Sequence, residues 1–431
     1  MQLYSTNHKS SPVDFRKAVL SGLAGDGGLF MPKELSVMDH GFWDALYSKS
    51  LPEIAFEVFS ELLSSEFTPA ETRKIVDDVF TFDAPLVTLE NGLHVLELFH
   101  GPTLAFKDFG ARTMAAIMAS YAGEADKEIS ILAATSGDTG AAVARGFAGV
   151  PGVRVYVLYP KGKVSKLQEK QFTTLGGNIT ALEVDGNFDD CQRMVKSAFA
   201  DKELNKKLNL TTANSINIAR LLPQMIYYMY AVAQLDEKHK PVVFSVPSGN
   251  FGNLTAGLMA RKLGLPVKRF IAATNQNNVV PKYLSGGDYE AAPSIESISN
   301  AMDVGNPSNF SRMVELFKGN KSLLQSCVFG AYFSDEETGN AIREVYQKYD
   351  YTFDPHGAVG YAGLKEYCKL EDDKVDGIVL ATAHPAKFPE TVEQIIGSEI
   401  PVPEQLAELA QKKKQAIPLG NNYEDLRAYL D

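Results

Sequence analysis

An α/β fold with a mainly parallel sheet, preceded by a mainly helical amino-terminal region, is what this sequence predicts. Three observations carry that expectation. From about residue 81 onward, short apolar runs of strand length alternate with longer amphipathic segments, which is the texture of βαβ units. Several of those runs are apolar throughout, as strands become when helices cover both faces of a sheet. Residues 1–80 instead carry apolar positions at helical spacing.

The elements follow in order. VDFRKAVLSGLA places Phe15, Val19, Leu20 and Leu23 at helical spacing, and Gly27, Gly28 and Pro32 break the pattern. FWDALYSKSLPEIAFEVFSELL reads as helix interrupted at Pro52. Another helix opens at Thr68-Pro69, a cap followed by proline at the first helical position. The strand-length runs are HVLELF, ISILAAT, VRVYVLYP, NITALEV, PVVFSVP, RFIAATN and GIVLATA. The tail after Pro403 holds Lys412, Lys413 and Lys414, read as a solvated helix face.

Bulk properties narrow the function. A chain of 431 residues suggests two or three domains, and its formal net charge of −11 argues against nucleic acid or an anionic membrane as partner. The three cysteines, Cys191, Cys327 and Cys368, are scattered, so neither a disulfide framework nor a metal site is expected. A reducing, cytoplasmic setting fits them best. The opening MQLYSTNHKSSPVDF lacks a signal-peptide pattern. The most apolar run, Leu221 to Leu235, is interrupted at Pro223 and Gln224 and is too short to span a bilayer.

Four motifs can carry chemistry. HGPTLAFKDFGAR sets Lys107 where a strand ends and a helix begins, the zone in which open α/β sheets gather ligands. Lysine is also the side chain that forms a Schiff base with an aldehyde cofactor. ISILAATSGDTG runs a strand into Thr135, Ser136 and Thr139, whose hydroxyls could serve an anion or simply cap a helix. PVVFSVPSGNFGN ends a strand in Gly249, Asn250, Phe251, Gly252 and Asn253, a turn able to cradle a phosphate. It lacks the lysine of a P-loop and the spacing of a dinucleotide fingerprint. GIVLATAHPAKF brings Thr382 to a strand end. Beside these, Asn217 and Arg220 lie three apart, on one face if their segment is helical. Lys161, Lys163 and Lys166 read first as a solvated face.

Taken together these residues resemble the longer-chain subgroup of the threonine synthase family. The resemblance spans essentially the whole chain, through YST…GLAGDGGLFMP, HGPTLAFKDFGAR, ATSGDTG, NSINIARLLPQ, PSGNFGN, AMDVGNPSNFSR and TAHPAKF in order. It implies the fold of tryptophan-synthase-β type pyridoxal-phosphate enzymes: two α/β domains with the cofactor between them, behind a family-specific amino-terminal domain. The implied boundaries are 1–80 for the amino-terminal domain and 81–431 for the catalytic region. Within the latter the smaller domain covers roughly 110–220 and the larger one the remainder.

The resemblance further implies that Lys107 carries pyridoxal 5'-phosphate as a Schiff base and serves as the catalytic base. Gly249, Asn250, Phe251 and Asn253 would hold the cofactor phosphate, and Thr382 would face its pyridine nitrogen. Thr135, Ser136, Thr139, Asn217, Arg220 and Lys166 would form the substrate-phosphate site. The implied reaction converts O-phospho-L-homoserine and water to L-threonine and phosphate by γ-elimination and β-addition. No metal is implied, and a monomer is the expectation. A serine or threonine dehydratase-type lyase and a non-catalytic phospho-ligand binder are the competing readings. Asp138 is expected to turn away from the cofactor and cap its helix, where the dipole favours an acid by roughly 0.3–1 kcal/mol.

Overall fold

The computed structural model describes residues 1–122, 128–236, 239–371 and 374–431. Its strands, in chain order, are β1 (Gln2–Ser5), β2 (Val13–Asp14), β3 (Phe30–Pro32), β4 (Leu86–Glu90), β5 (Leu93–Glu97), β6 (Ile129–Ala134) and β7 (Val153–Pro160). They continue with β8 (Ile179–Val184), β9 (Leu210–Thr211), β10 (Val242–Pro247), β11 (Val267–Thr274), β12 (Val328–Tyr332), β13 (Asp376–Ala381) and β14 (Ile417–Leu419). They form a six-stranded sheet of order β12-β11-β10-β13-β5-β4, a five-stranded sheet of order β14-β8-β7-β6-β9, and a three-stranded sheet of order β2-β1-β3. The five-stranded sheet is parallel throughout. The six-stranded one departs from parallel at its β4 edge, which pairs antiparallel with β5.

All seven strand-length runs of the sequence appear as strands within a residue or two of their expected ends. β6, β10 and β13 are buried along their whole length, as continuous apolar runs require. The run at 377–383 gives way earlier than expected: β13 stops at Ala381, which leaves Thr382 in the following turn.

The amino-terminal region holds the expected helices. Phe15–Ser21 is capped by Asp14, and Pro69–Val79 by Thr68 in a capping box with Glu71. Pro52 does not interrupt its helix; it sits in the first turn of Leu51–Leu62, where its missing N–H costs nothing. The small antiparallel sheet is the departure from a helical reading. The first helix does not run on to Gly27 and Gly28; it ends at Ser21 with Gly22 at φ 71° as its C-cap, and the apolar residues after the later glycines pair as β3 against β1. Lys412–Lys414 also depart from expectation, because they follow the helix Glu404–Ala410 and Lys414 pairs with Glu169 and Glu183 at 2.6 and 2.5 Å.

One hydrophobic core runs from the amino-terminal helices (Phe15, Ile54, Phe59) through Phe109 and Phe147 to Tyr227 of the helix Gln224–Ala233 and Phe244 of the larger sheet. The amino-terminal region therefore shares its core with the elements around the two larger sheets. Among the described residues no helix is long and apolar enough to cross a membrane.

The topology decides where chemistry can gather. β10, β13 and β5 are neighbours in the larger sheet, and β6 and β9 are neighbours in the smaller one. The turns after their carboxyl ends carry Ser248–Asn253, Thr382, the Lys107 loop, Thr135–Thr139 and Thr212–Ser215, all of which border a single cavity.

Candidate active site

Lys107 is the first residue of the helix Lys107–Ala122. The loop before it is pinned to the exit of β13: Phe106 N–H donates to the Thr382 carbonyl at 2.9 Å, and His384 N–H donates to Leu104 O at 3.1 Å. Ala105 and Ala383 form an isolated bridge between the two segments. These bonds set Lys107 and Thr382 side by side on the wall of a cavity of about 530 Å³.

Asp138 does not cap its helix. The N-cap of Asp138–Phe147 is Gly137, and the helix start is satisfied by Thr135, whose Oγ1 accepts from Gly137 N at 2.9 Å and Gly140 N at 2.7 Å. The Asp138 carboxylate instead points inward, 3.9 Å from Lys107 Nζ and 2.6 Å from Lys387 Nζ. Gln168 Nε2 donates to it at 2.8 Å. A buried carboxylate needs such partners, since desolvation disfavours the charge. Burial alone would raise the Asp138 carboxyl, but Lys387 and then Lys107 overcome it and hold it well below the ordinary carboxylate range. Burial lowers the Lys107 amine to about 8, with Asp138 opposing and Lys387 and Arg220 adding to the effect.

The turn after β10 enters the helix Gly252–Lys262 with Phe251 at φ 60°, and no side chain caps that helix. Its first N–H groups are thus available to an anion. Asn250 bridges the cavity wall: its Nδ2 donates to Ser215 Oγ at 2.6 Å and its Oδ1 accepts from Ser308 N at 2.6 Å. Asn253 Oδ1 accepts from both Tyr227 and Tyr228 hydroxyls, at 2.6 and 2.7 Å, while its Nδ2 is buried without a partner. Gly249 has no room for a side chain, because a Cβ there would lie 2.7 Å from Ala301 O.

At the other end, Thr135, Ser136, Thr139 and Arg220 line the cavity. Arg220 is buried; one terminal nitrogen donates to Ala213 O and its Nε has no partner. Burial lowers its guanidinium to about 10, partly offset by Asp108. Asn217 and Lys166 are not brought to the wall. Asn217 is fully buried, its Nδ2 donating to Val19 O and Thr212 O and its Oδ1 capping the turn that carries Arg220. Lys166 is exposed, at the start of the helix Lys166–Thr173.

Sequence reasoning missed Lys387, although it stands in the quoted GIVLATAHPAKF, and it missed His356. Lys387 is fully buried. His356 lines the cavity, with Nδ1 2.5 Å from Asp354 Oδ2 and Nε2 accepting from Ala301 N at 3.2 Å. Thr6, Asn7 and Gly27–Leu29 of the amino-terminal region also wall the cavity. The unusual GDGGLFMP stretch was the available signal for them.

Comparison with known proteins joins these observations. Residues 81–381 match the family model described as pyridoxal-phosphate dependent enzyme, and residues 2–80 and 357–430 match the threonine synthase N terminus and C-terminal models. The curated threonine synthase of Haemophilus influenzae is 48% identical over 431 residues, covering 100% of this chain and 99% of that one.

The chain belongs to the threonine synthase family.

Solved structures agree with that membership. Threonine synthase from Escherichia coli superposes with a TM-score of 0.93 at 45% identity, covering 100% of this chain and 99% of that one. The pyridoxal-phosphate-bound threonine synthase from Brucella melitensis superposes at 0.93 with 35% identity, covering 100% and 98%. The chain is thus a pyridoxal-phosphate-dependent lyase of this family. Its residues fit that cofactor. An amine stands at one wall, an uncapped helix start and an orphaned Asn253 amide at another, and Gly249 keeps the backbone approachable.

Proposed function

We propose that this enzyme converts O-phospho-L-homoserine and water to L-threonine and phosphate. The observation that carries the reading is that the Lys107 amine shares one cavity with both an anion-receptive helix start and the Arg220 guanidinium. When bound, pyridoxal phosphate supplies an electron sink that delocalises negative charge from the substrate's α carbon.

The protein's own groups have distinct parts. Lys107 holds the cofactor, and its amine, lowered to about 8, then takes and returns protons on the substrate's α and neighbouring carbons. The N–H groups of Gly249–Asn253 hold the cofactor phosphate. Thr382, on the cavity wall, would offer the cofactor's pyridine nitrogen a neutral hydroxyl rather than a carboxylate. Arg220, with Ser136 and Thr139, takes the substrate phosphate in bidentate fashion. Thr135 shapes the start of its helix as well as lining this end, and Asn217 acts by holding the turn beneath Arg220. Lys166, exposed and away from the cavity wall, would join the substrate site only by a movement of its helix start. The smaller α/β domain, roughly 110–220, carries this anion end, and the remainder of 81–431 the cofactor loop.

The decisive experiment mixes the cofactor-loaded enzyme with O-phospho-L-homoserine and measures phosphate and threonine. Equimolar release of both is expected. Ammonia from serine or threonine, without phosphate release, supports the dehydratase reading instead. A visible cofactor band without turnover of either substrate supports a binding protein. The reading includes a cytoplasmic monomer, which fits the three unpaired thiols. Sedimentation equilibrium at one chain mass checks the oligomeric state.

A further inference from the structure

Lys387 is a fully buried cation that no catalytic step requires. It sits on the short turn Pro385–Lys387 just beyond Thr382. Its Nζ lies 2.6 Å from Asp138 Oδ1 and donates to the Thr103 carbonyl at 2.7 Å. Thr103 in turn is held by the buried Asp108, through Oγ1 to Oδ1 at 2.6 Å and N to Oδ2 at 2.8 Å. Gln171 donates to the same carbonyl at 3.0 Å. The ammonium is therefore fixed between the loop that delivers Lys107 and the helix that delivers Asp138.

We propose that Lys387 is a positioning residue that sets the proton affinity of the Lys107 amine by keeping Asp138 ionised while offsetting that carboxylate's pull on the Lys107 proton. This deepens the proposed function and rests on Lys107 being the amine that takes the cofactor.

The charge arrangement explains why a second lysine is needed. Asp138 alone, 3.9 Å from Lys107 Nζ in a buried site, would hold a proton on that nitrogen. A protonated amine can neither attack an aldehyde nor act as a base. A site without Asp138 would lose the one carboxylate that pairs with the amine among the described ion pairs. Lys387 resolves the conflict: the carboxylate's nearer and tighter partner is the cation that never meets substrate. The charged groups bearing on Lys107 are Asp138, Lys387, Arg220 and Asp354, and His356 bears on Asp138. Lys387 and Arg220 oppose a proton on Lys107; Asp138 and Asp354 favour it.

The test uses the full chain, both loaded with cofactor and stripped of it. In the stripped enzyme, acylation of Lys107 is followed against pH by peptide mass spectrometry, with surface lysines as internal standards. Lys387→Gln keeps a donor toward Asp138 and removes the charge. It should move the Lys107 midpoint up by a unit or more, which lowers the reactive amine near neutral pH about tenfold. The pH midpoint of the visible band in the loaded enzyme should move the same way. Asp138→Asn combined with Lys387→Gln removes both charges and should return the Lys107 midpoint to within about half a unit of the parent. Lys387→Met serves in place of Lys387→Gln if the glutamine variant does not fold. Acylation of the stripped enzyme reads Lys107 whatever the substrate proves to be, so failure here is separable from failure of the proposed reaction. An unmoved midpoint in the single variant, or a double variant displaced as far as the single, overturns the proposal.

Discussion

Leu104 and Phe251 hold backbone φ angles of 57° and 60°, a region costly for bulky side chains. Both stand in the turns that frame the site, one before Lys107 and one at the start of the helix after β10. Their strain is tolerated because each side chain is buried in the surrounding core. Nothing in one sequence marks such a residue; glycine would have been the expected choice at either place.

Lys107 yields a pH prediction at the same scale. Its folded-state value of about 8 lies below the ordinary 10.5. Between those values the unfolded chain binds more protons than the folded one, so this group makes stability rise with pH across that window. The contribution is present above about 10.5 and is lost as pH falls through 8. Comparing urea unfolding of the stripped enzyme with its Lys107→Met variant should show the parent gaining on the order of 3 kcal/mol relative to the variant across that window. Parallel pH profiles for the two proteins would contradict this.

At the scale of elements, the anion cradle depends on how closely the turn after β10 approaches Ala301 and Met302. A methyl at Gly249 would meet Ala301 O at 2.7 Å and Met302 Cα at 2.8 Å, so Gly249→Ala must displace backbone. Cofactor affinity should fall at least tenfold, measured by fluorescence titration. Neither Gly249 nor Gly252 has positive φ, and a Cβ at Gly252 meets its nearest protein atoms at 3.5 Å. Gly252→Ala should therefore leave the fold and its thermal midpoint nearly unchanged. The need for left-handed backbone in this turn falls on Phe251 instead.

The packing of the Lys107–Ala122 helix on Arg220 gives a second element-scale prediction. A Cβ at Gly110 would stand 2.7 Å from Arg220 Nε and 2.8 Å from Arg220 O. Gly110→Ala should push the guanidinium aside, costing about 1–3 kcal/mol of stability by overpacking. It should raise KM for O-phospho-L-homoserine more than it weakens cofactor binding. Equal effects on both would place Arg220 outside the substrate site.

Legibility at this scale followed length and burial. The seven long apolar runs announced their strands because a fully buried strand is apolar at every position. β1, β2 and β3 escaped because they span four, two and three residues, too few for a period to show. Thr68 and Glu71 were readable as a helix start because capping is local chemistry. The same reasoning failed at Asp138, since Thr135 Oγ1 already filled the capping role three positions earlier.

Over the whole molecule, Arg312 joins parts distant in sequence. It is fully buried, and it donates to Phe30 O at 3.1 and 2.9 Å, Ile216 O at 2.7 Å, Ser215 O at 3.3 Å and Asn309 Oδ1 at 2.8 Å. The Phe30 carbonyl belongs to the amino-terminal sheet, and those of Ser215 and Ile216 to the segment before Arg220. Arg312→Leu would leave several buried acceptors unpaired and should destabilise the fold by about 2–4 kcal/mol, read from urea unfolding. The cavity wall at Gly27–Leu29 should loosen with it, raising KM in the phosphate-release assay. A variant with parental stability and parental KM would show that this link is dispensable.

What the sequence by itself determined was whatever rests on neighbours along the chain: buried strands, helix starts, glycine turns, and motifs specific enough to mark the family and Lys107. What only the tertiary structure decided was which charges meet. Lys387 reaches Asp138 because β13 and β5 lie side by side in one sheet while β6 belongs to the other, an arrangement no local pattern encodes. The same holds for Asn217, which local spacing put beside Arg220 at the ligand but which packing turned inward to bond Val19 and Thr212. The physical reason is common to both. Secondary structure is set by interactions a few residues apart, whereas the protonation and direction of a buried polar group are set by whatever the fold places within a few ångströms of it.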